Sequence, residues 1–289
     1  MYPAEFEYFA PATVEEALEL LSRYGDDARI LAGGQSLIPM MKLRIASPRV
    51  LVDVNRITSL TGIRELGGRL VLGAMVRHAE IANSPLIRER LPLMADAADA
   101  TADVQVRNRG TVGGSLAHAD PAGDWPAALL ALDADVTVTG PRGSRSMPLR
   151  AFLVDAYTTE LGSGEMLTEI AVPFPTKPCG GAYMKFEKRA GDFAVASVGV
   201  QLQLVDDAHY EKYAISLGAV GPTPIRAHAA ETLLHGSALS DDLLSQAQRA
   251  VEEATEPFAD TRGSVEYKRH LAGVLFRRAF DKALERAHL

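Results

Sequence analysis

At 289 residues the chain is long enough for two domains, and its 47% hydrophobic and 23% charged content is that of a globular protein. A net charge of −7 argues against a nucleic-acid partner, which wants a basic face. No apolar run approaches the roughly 20 residues of a membrane span, and the start Met1-Tyr2-Pro3-Ala4-Glu5-Phe6 lacks the parts of a secretory signal, so cytoplasm is the expected location.

Taken in chain order, Thr13-Val14-Glu15-Glu16 matches a capping box, and Val14, Ala17, Leu18 and Leu21 then form one apolar helical stripe that Gly25 is placed to end. Residues 28–32 read as a short strand running into Gly33-Gly34. Residues 37–42 read as a turn of helix or an irregular apolar stretch. The apolar run 50–54 reads as a strand buried on both faces, completing a small α/β unit. A strand at 70–73 is followed by helical stretches over 78–82 and 86–102. Residues 105–110 lead into a second glycine pair, Gly113-Gly114. Asp120-Pro121-Ala122-Gly123-Asp124 is a turn by composition, and 125–132 a helix with Pro126 in its first turn. Residues 135–140 and 165–173 alternate as half-buried strands. Three prolines and two glycines make 173–181 the best linker candidate. Beyond it come three strands of an antiparallel sheet (182–186, 195–204, 213–219), then helices over 227–234, 241–255 and 265–287, with Ser240 and Ser264 as caps.

The chemistry-bearing residues are few. The one cysteine, Cys179, cannot hold an iron–sulfur cluster, and the seven histidines show no metal-ligand spacing. His118 and Asp120 invite an acid/base reading, but a turn explains Asp120, and no catalytic residues and no metal ligands are assigned. What stands out is a pair of similar stretches, Ala32-Gly33-Gly34-Gln35-Ser36 and Thr111-Val112-Gly113-Gly114-Ser115. Each sets two glycines beside a small hydroxyl residue. Such backbone can come close to a ligand and offer successive N–H groups to an anion. Neither stretch has Rossmann or P-loop spacing. Two tight turns are the bland alternative. Two walls around one diphosphate are the sharper one.

These stretches, with Arg107-Asn108-Arg109-Gly110 before the second and Ala119-Asp120-Pro121-Ala122-Gly123-Asp124 after it, resemble the flavin-binding medium subunit of molybdenum hydroxylases. That family includes xanthine dehydrogenases, nicotinate-type dehydrogenases and aerobic carbon monoxide dehydrogenase, the last being the nearest in appearance. The resemblance covers essentially the whole chain. It implies an α+β fold, with a two-subdomain FAD-binding domain of the vanillyl-alcohol oxidase/p-cresol methylhydroxylase type over 1–177 (subdomains about 1–57 and 58–177). A C-terminal domain over 178–289 would carry a three-stranded antiparallel sheet and a helical bundle.

The resemblance also implies roles. FAD would be bound non-covalently, its diphosphate wrapped by Leu31, Ala32, Gly33, Gly34, Gln35, Ser36 and Leu37, with Thr111, Val112, Gly113, Gly114 and Ser115 as the other wall. Asp124 would accept from a ribityl or ribose hydroxyl, with a helix N-cap as its alternative. Leu167 would lay its backbone against the adenine, and Lys185 would reach the flavin or its ribityl chain, unless it snorkels to solvent. Phe193, where relatives have tyrosine, would cover one face of the isoalloxazine. Gln35 stands where histidine is common and brings no charge. The molybdenum cofactor and 2Fe-2S clusters would reside on partner subunits, a large and a small one, in a dimer of heterotrimers. Electrons would leave to NAD or a quinone, and the complex could sit peripherally at the inner membrane. A free-standing FAD-dependent oxidase of the same fold is the alternative, and a module that has lost FAD a further one.

Overall fold

A computed structural model describes residues 2–175, 178–204 and 210–288. The fold is α+β, built on three successive apolar cores.

The first core lies under a three-stranded parallel sheet in the order Glu7–Phe9, Val50–Asp53, Ala28–Leu31. Its central strand is buried through Val50, Leu51 and Val52, as the continuous apolar run implied. The helix Val14–Tyr24 covers one side. Thr13 caps it by accepting from the Glu16 N–H at 3.2 Å, while Glu16 reaches one residue further back than expected, to the Ala12 N–H at 2.8 Å. Gly25 ends the helix at φ 49°, its N–H donating to the Leu21 carbonyl.

The second core lies between a five-stranded antiparallel sheet and several short helices. The strand order is Ile63–Leu66, Arg69–Gly73, Met166–Pro173, Asp135–Gly140, Gly143–Pro148. Trp125, Phe152, Leu70 and Leu72 are fully enclosed in it. The sequence reading missed both edge strands: Ile63–Leu66 has only four residues, and Gly143–Pro148 is polar and exposed along most of its length. The helix expected over 86–102 is two helices, Pro85–Arg90 and Pro92–Ala100. Pro92 lacks an N–H and forces Leu91 out of the helical region, to φ −138° and ψ 60°.

The third core joins the order Cys179–Phe186, Ala196–Leu204, Tyr210–Gly218, Ile225–Arg226 to the helices His228–Leu234, Asp241–Glu253 and Val265–Ala287. The sheet therefore has four strands where three were expected, the fourth being too short to carry a period. Ser240 and Ser264 cap their helices by accepting from Leu243 and Tyr267 N–H groups at 3.1 and 3.2 Å.

The supposed linker needs correcting. Pro173 ends one strand and Cys179-Gly180-Gly181 opens the next, while residues 176 and 177 lie outside the described residues. Gly180 is there for proximity. A Cβ on it would fall 1.8 Å from the Ala283 carbonyl oxygen, so only glycine lets the helix Val265–Ala287 lie on this strand. The same helix ties the third core to the second. Lys282 Nζ and Arg286 Nη1 reach the Asp96 carboxylate at 3.0 and 2.7 Å, and that carboxylate also accepts from the Tyr183 N–H at 3.2 Å.

Candidate functional site

The strand Ala28–Leu31 lies at the edge of the parallel sheet, and its carboxyl end delivers the chain into Ala32–Ser36 and then the helix Leu37–Lys42. Ligands of parallel sheets bind beyond this end of the strands. None of the N–H groups from Gly33 to Leu37 donates to another group among the described residues. Five consecutive donors left over in one bend form a concave anion site. Gly34, at φ 75°, makes that bend possible. Ser36 is the residue before the helix, yet its hydroxyl makes no capping bond, so it too remains available. Gln35 is exposed beside it.

The two glycine stretches meet. A Cβ on Gly33 would lie 2.4 Å from the Arg109 carbonyl oxygen and 2.7 Å from Gly110 Cα, and a Cβ on Gly114 would lie 3.6 Å from Ala32 Cβ. The similarity of the two stretches is only verbal, however. Thr111-Val112-Gly113-Gly114-Ser115 is the start of a helix, Val112–His118, rather than a loop. Four of its five backbone donors are spent inside the protein: Val112 to Val76 O at 3.0 Å, Gly113 to Ala74 O at 3.0 Å, Gly114 to Thr111 Oγ1 at 3.1 Å and Ser115 to Thr111 O at 3.0 Å. Gly113 is glycine because a Cβ would fall 2.5 Å from that of Ala74. This stretch can wall a ligand by packing and by the Ser115 hydroxyl, while the consecutive run of free backbone donors comes from the first stretch.

Residues that the sequence reading missed brace the junction. Asn55 Nδ2 donates to Ala32 O at 2.9 Å, Asn55 Oδ1 accepts from Arg77, and Arg77 Nη1 donates to Arg109 O. Asp53 holds Asn55 through its N–H at 2.9 Å and itself accepts from the Tyr8 hydroxyl. Burial pushes the Asp53 carboxyl up, but the bonds from Tyr8 and Asn55 outweigh it and hold its pKa below the usual range. Of these residues Asn55 alone is marked by position, just past the carboxyl end of the central strand Val50–Asp53.

A second cluster lies behind the junction. His78 N donates to Gly110 O at 3.1 Å, and its ring stacks on Trp125 at 5.4 Å between centroids. Burial, and then the charges of Arg77 and Arg107, push its pKa down to about 4, so the imidazole is neutral. Asp124, next to Trp125, is the first residue of the helix Asp124–Ala131, Gly123 being the cap. Its carboxylate accepts from the Tyr183 hydroxyl at 2.8 Å and from Lys185 Nζ at 3.3 Å. Burial raises the Asp124 pKa to about 6, against the pull of Lys185 and Tyr183.

Lys185 does not snorkel. Its side chain is 4% exposed, and Nζ also donates to Ala100 O at 2.6 Å and Asp192 O at 3.1 Å, with Glu187 Oε2 at 3.0 Å. Phe193, just beyond, is 46% exposed, with the Arg262 guanidinium 6.0 Å from its ring centre. Leu167 buries its side chain in the second core, on a strand that packs against the helix Val112–His118. His118 lies against Tyr157 at 5.3 Å, and Asp120 accepts from the Ala122 N–H at 2.9 Å, the turn role expected of it. Among the described residues no group of three His, Cys, Asp or Glu side chains could hold a metal ion.

A nest of free N–H groups, a free hydroxyl and a backbone pressed close by glycine fit the diphosphate of a dinucleotide cofactor. The family model described as the FAD binding domain in molybdopterin dehydrogenase matches residues 4–175, and the CO dehydrogenase flavoprotein C-terminal domain matches 181–283. The chain belongs to the family of FAD-binding medium subunits of molybdenum hydroxylases. It is 42% identical over 286 residues to the carbon monoxide dehydrogenase medium chain of Hydrogenophaga pseudoflava, covering 99% of both. It is 38% identical over 287 residues to the 6-hydroxypseudooxynicotine dehydrogenase complex subunit alpha of Paenarthrobacter nicotinovorans, covering 99% of this chain and 97% of that one. A solved carbon monoxide dehydrogenase from Hydrogenophaga pseudoflava superposes at a TM-score of 0.96, with 43% identity and 99% of each chain covered.

Proposed function

We propose that this chain is the electron-transfer flavoprotein of a carbon monoxide dehydrogenase-like complex, with substrate oxidised on a molybdenum-bearing large subunit and electrons delivered through an iron–sulfur small subunit. The observation that carries the reading is the run of unpaired N–H groups from Gly33 to Leu37, closed off by Gly33 against Arg109. Bound FAD supplies the chemistry, coupling one-electron donors to a two-electron acceptor such as NAD or a quinone.

The chain's own residues bind and orient. The Gly33 to Leu37 donors, the Ser36 hydroxyl and the Gln35 amide hold the diphosphate of FAD. Thr111 to Ser115 form the second wall, and Leu31, Ala32 and Val112 close the apolar sides. Asp124 accepts from a ribityl or ribose hydroxyl, and Leu167 lends backbone to the adenine. Lys185 places positive charge near the flavin, and Phe193 shields one face of its ring. A relative named for carbon monoxide and one named for a nicotine-derived compound resemble this chain almost equally, which supports a subunit that does not itself select the substrate. No helix among the described residues is long and apolar enough to cross a membrane. We place the complex in the cytoplasm, as a dimer of heterotrimers, with the domain boundary of this chain near residues 177–178.

The test is the visible spectrum of the purified chain. A yellow protein that releases FAD on denaturation is expected, and a colourless one that takes up no FAD refutes the reading. Co-purification from the source organism, with molybdenum and iron measured, tests the assembly.

A further inference from the structure

We propose that Asn55 and Arg77 are the positioning residues of the flavin cradle: as one hydrogen-bonded clamp they hold the carbonyls of Ala32 and Arg109 and so fix the shape of the N–H nest. The assignment rests on the reading of that nest as the diphosphate site.

The clamp is continuous. Asn55 Nδ2 holds Ala32 O at 2.9 Å, Asn55 Oδ1 receives Arg77 Nη2, and Arg77 Nη1 holds Arg109 O. Two side chains thus join the backbone of the first glycine stretch to the backbone that leads into the second. The carbonyl that Arg77 grips is also the one nearest a Cβ built on Gly33, at 2.4 Å. The position of the first free donor is therefore set directly by the atom that Arg77 fixes. Each clamp member is itself held. Asn55 is anchored on Asp53 through its backbone N–H, and Asp53 on Tyr8, from the first strand of the sheet. Arg77 donates its own N–H to Glu80 Oε2 at 2.7 Å.

Geometry of this kind decides whether the donors act together. Five N–H groups bind one anionic group only if their directions converge, and a free bend between a strand and a short helix does not hold such a shape by itself. There is an electrostatic side as well. Among the described residues no carboxylate lies within salt-bridge distance of Arg77. Burial, and then the neighbouring Arg109 guanidinium, lower its pKa, while the charges of Glu80 and Asp53 offset this only in part. Two like charges beside a nest of donors are relieved by an anion, and they supply the charge that Gln35 does not.

The experiment uses the full 289-residue chain. FAD is stripped and returned, and its affinity is followed by flavin fluorescence in Asn55→Ala, Arg77→Ala, the double variant and Arg77→Lys. Each single substitution is expected to weaken FAD binding by about tenfold or more, the scale known for the outer partners of metal ligands. The double variant is expected to bind no worse than the weaker single, because both side chains belong to one clamp. Arg77→Lys keeps the charge but loses the fork, and is expected to recover only a minor part of the affinity lost in Arg77→Ala. If Asn55→Ala does not fold, Asn55→Asp replaces it: it keeps the acceptor for Arg77 and loses the donor to Ala32, with the same loss expected. Wild-type affinity in both singles, full additivity in the double, or full affinity in Arg77→Lys overturns the clamp while leaving the functional reading intact. A wild-type chain that binds no FAD overturns both.

Discussion

The ammonium of Lys185 lies 3.3 Å from Oδ2 of Asp124, and the two side chains are only 4% and 8% exposed. A charge pair so enclosed is held by its partners rather than by water. Replacing Lys185 with methionine leaves the Asp124 carboxylate with the Tyr183 hydroxyl alone. The carboxyl pKa then rises further, and the chain is expected to lose about 3–5 kcal/mol of stability in denaturant melts. A loss no larger than that of an exposed pair, about 1 kcal/mol or less, counts against an enclosed pair.

Asp124 and His78 should make stability depend on pH in opposite senses. Asp124 titrates at about 6 in the folded chain against an ordinary value of 3.8. Between those values the folded chain holds a proton that the unfolded chain has lost, so this contribution falls as pH rises. His78 titrates at about 4 against an ordinary 6.5, so the unfolded chain holds the extra proton and this contribution rises with pH. His78→Phe keeps a ring on Trp125 and removes the rising part. Its stability relative to wild type is expected to decline from about pH 4 to about pH 6.5 and then level off. Asp124→Asn should show the opposite slope, up to about pH 6. Urea melts across this range decide, and parallel curves for variant and wild type refute the assignment.

Ser36 separates binding from folding. Its hydroxyl makes no capping bond, so Ser36→Ala is expected to leave the stability of the FAD-free chain within about 0.5 kcal/mol of wild type. FAD affinity should fall by the worth of one hydrogen bond to a charged group, about 1.5–3 kcal/mol. Calorimetry of FAD binding beside a thermal melt reads both, and an unchanged affinity removes Ser36 from the site.

Gly33→Ala acts differently. The new methyl would sit 2.4 Å from the Arg109 carbonyl and 2.7 Å from Gly110 Cα, both backbone atoms that cannot swing aside. A stability loss of about 1–3 kcal/mol is expected, with loss of FAD because the nest is pushed open. Retention of flavin at full occupancy contradicts the close approach.

The features legible in the sequence are those whose cause lies within a few residues. Thr13, Ser240 and Ser264 cap the helices that begin just after them, and Gly25 ends the one before it, because caps are local. The Gly33-Gly34 bend is legible for the same reason. Gly180 passes for part of a linker because its reason is the Ala283 carbonyl, about a hundred residues away in sequence. Gly113 has the look of a donor to a ligand, whereas it makes room for Ala74. Asn55 and Arg77 carry no pattern at all. Their partners are backbone carbonyls, which any residue type supplies, so only the folded chain reveals them. Tyr183 is equally silent beside Lys185 until the strand turns both toward Asp124.

The Asp96 carboxylate gathers two cations, Lys282 and Arg286, that stand 186 and 190 residues further along the chain. A ribosome makes the whole of the nucleotide-cradling half, and most of the C-terminal half, before either cation exists. Until then Asp96 has no counter-charge from that helix, and the strand that begins at Cys179 lacks the helix its glycine was shaped to receive. The join between the flavin half and the helical half is thus closed by residues translated after both sheets that it links, and a nascent chain halted before Lys282 carries its parts without the bolt that fastens them.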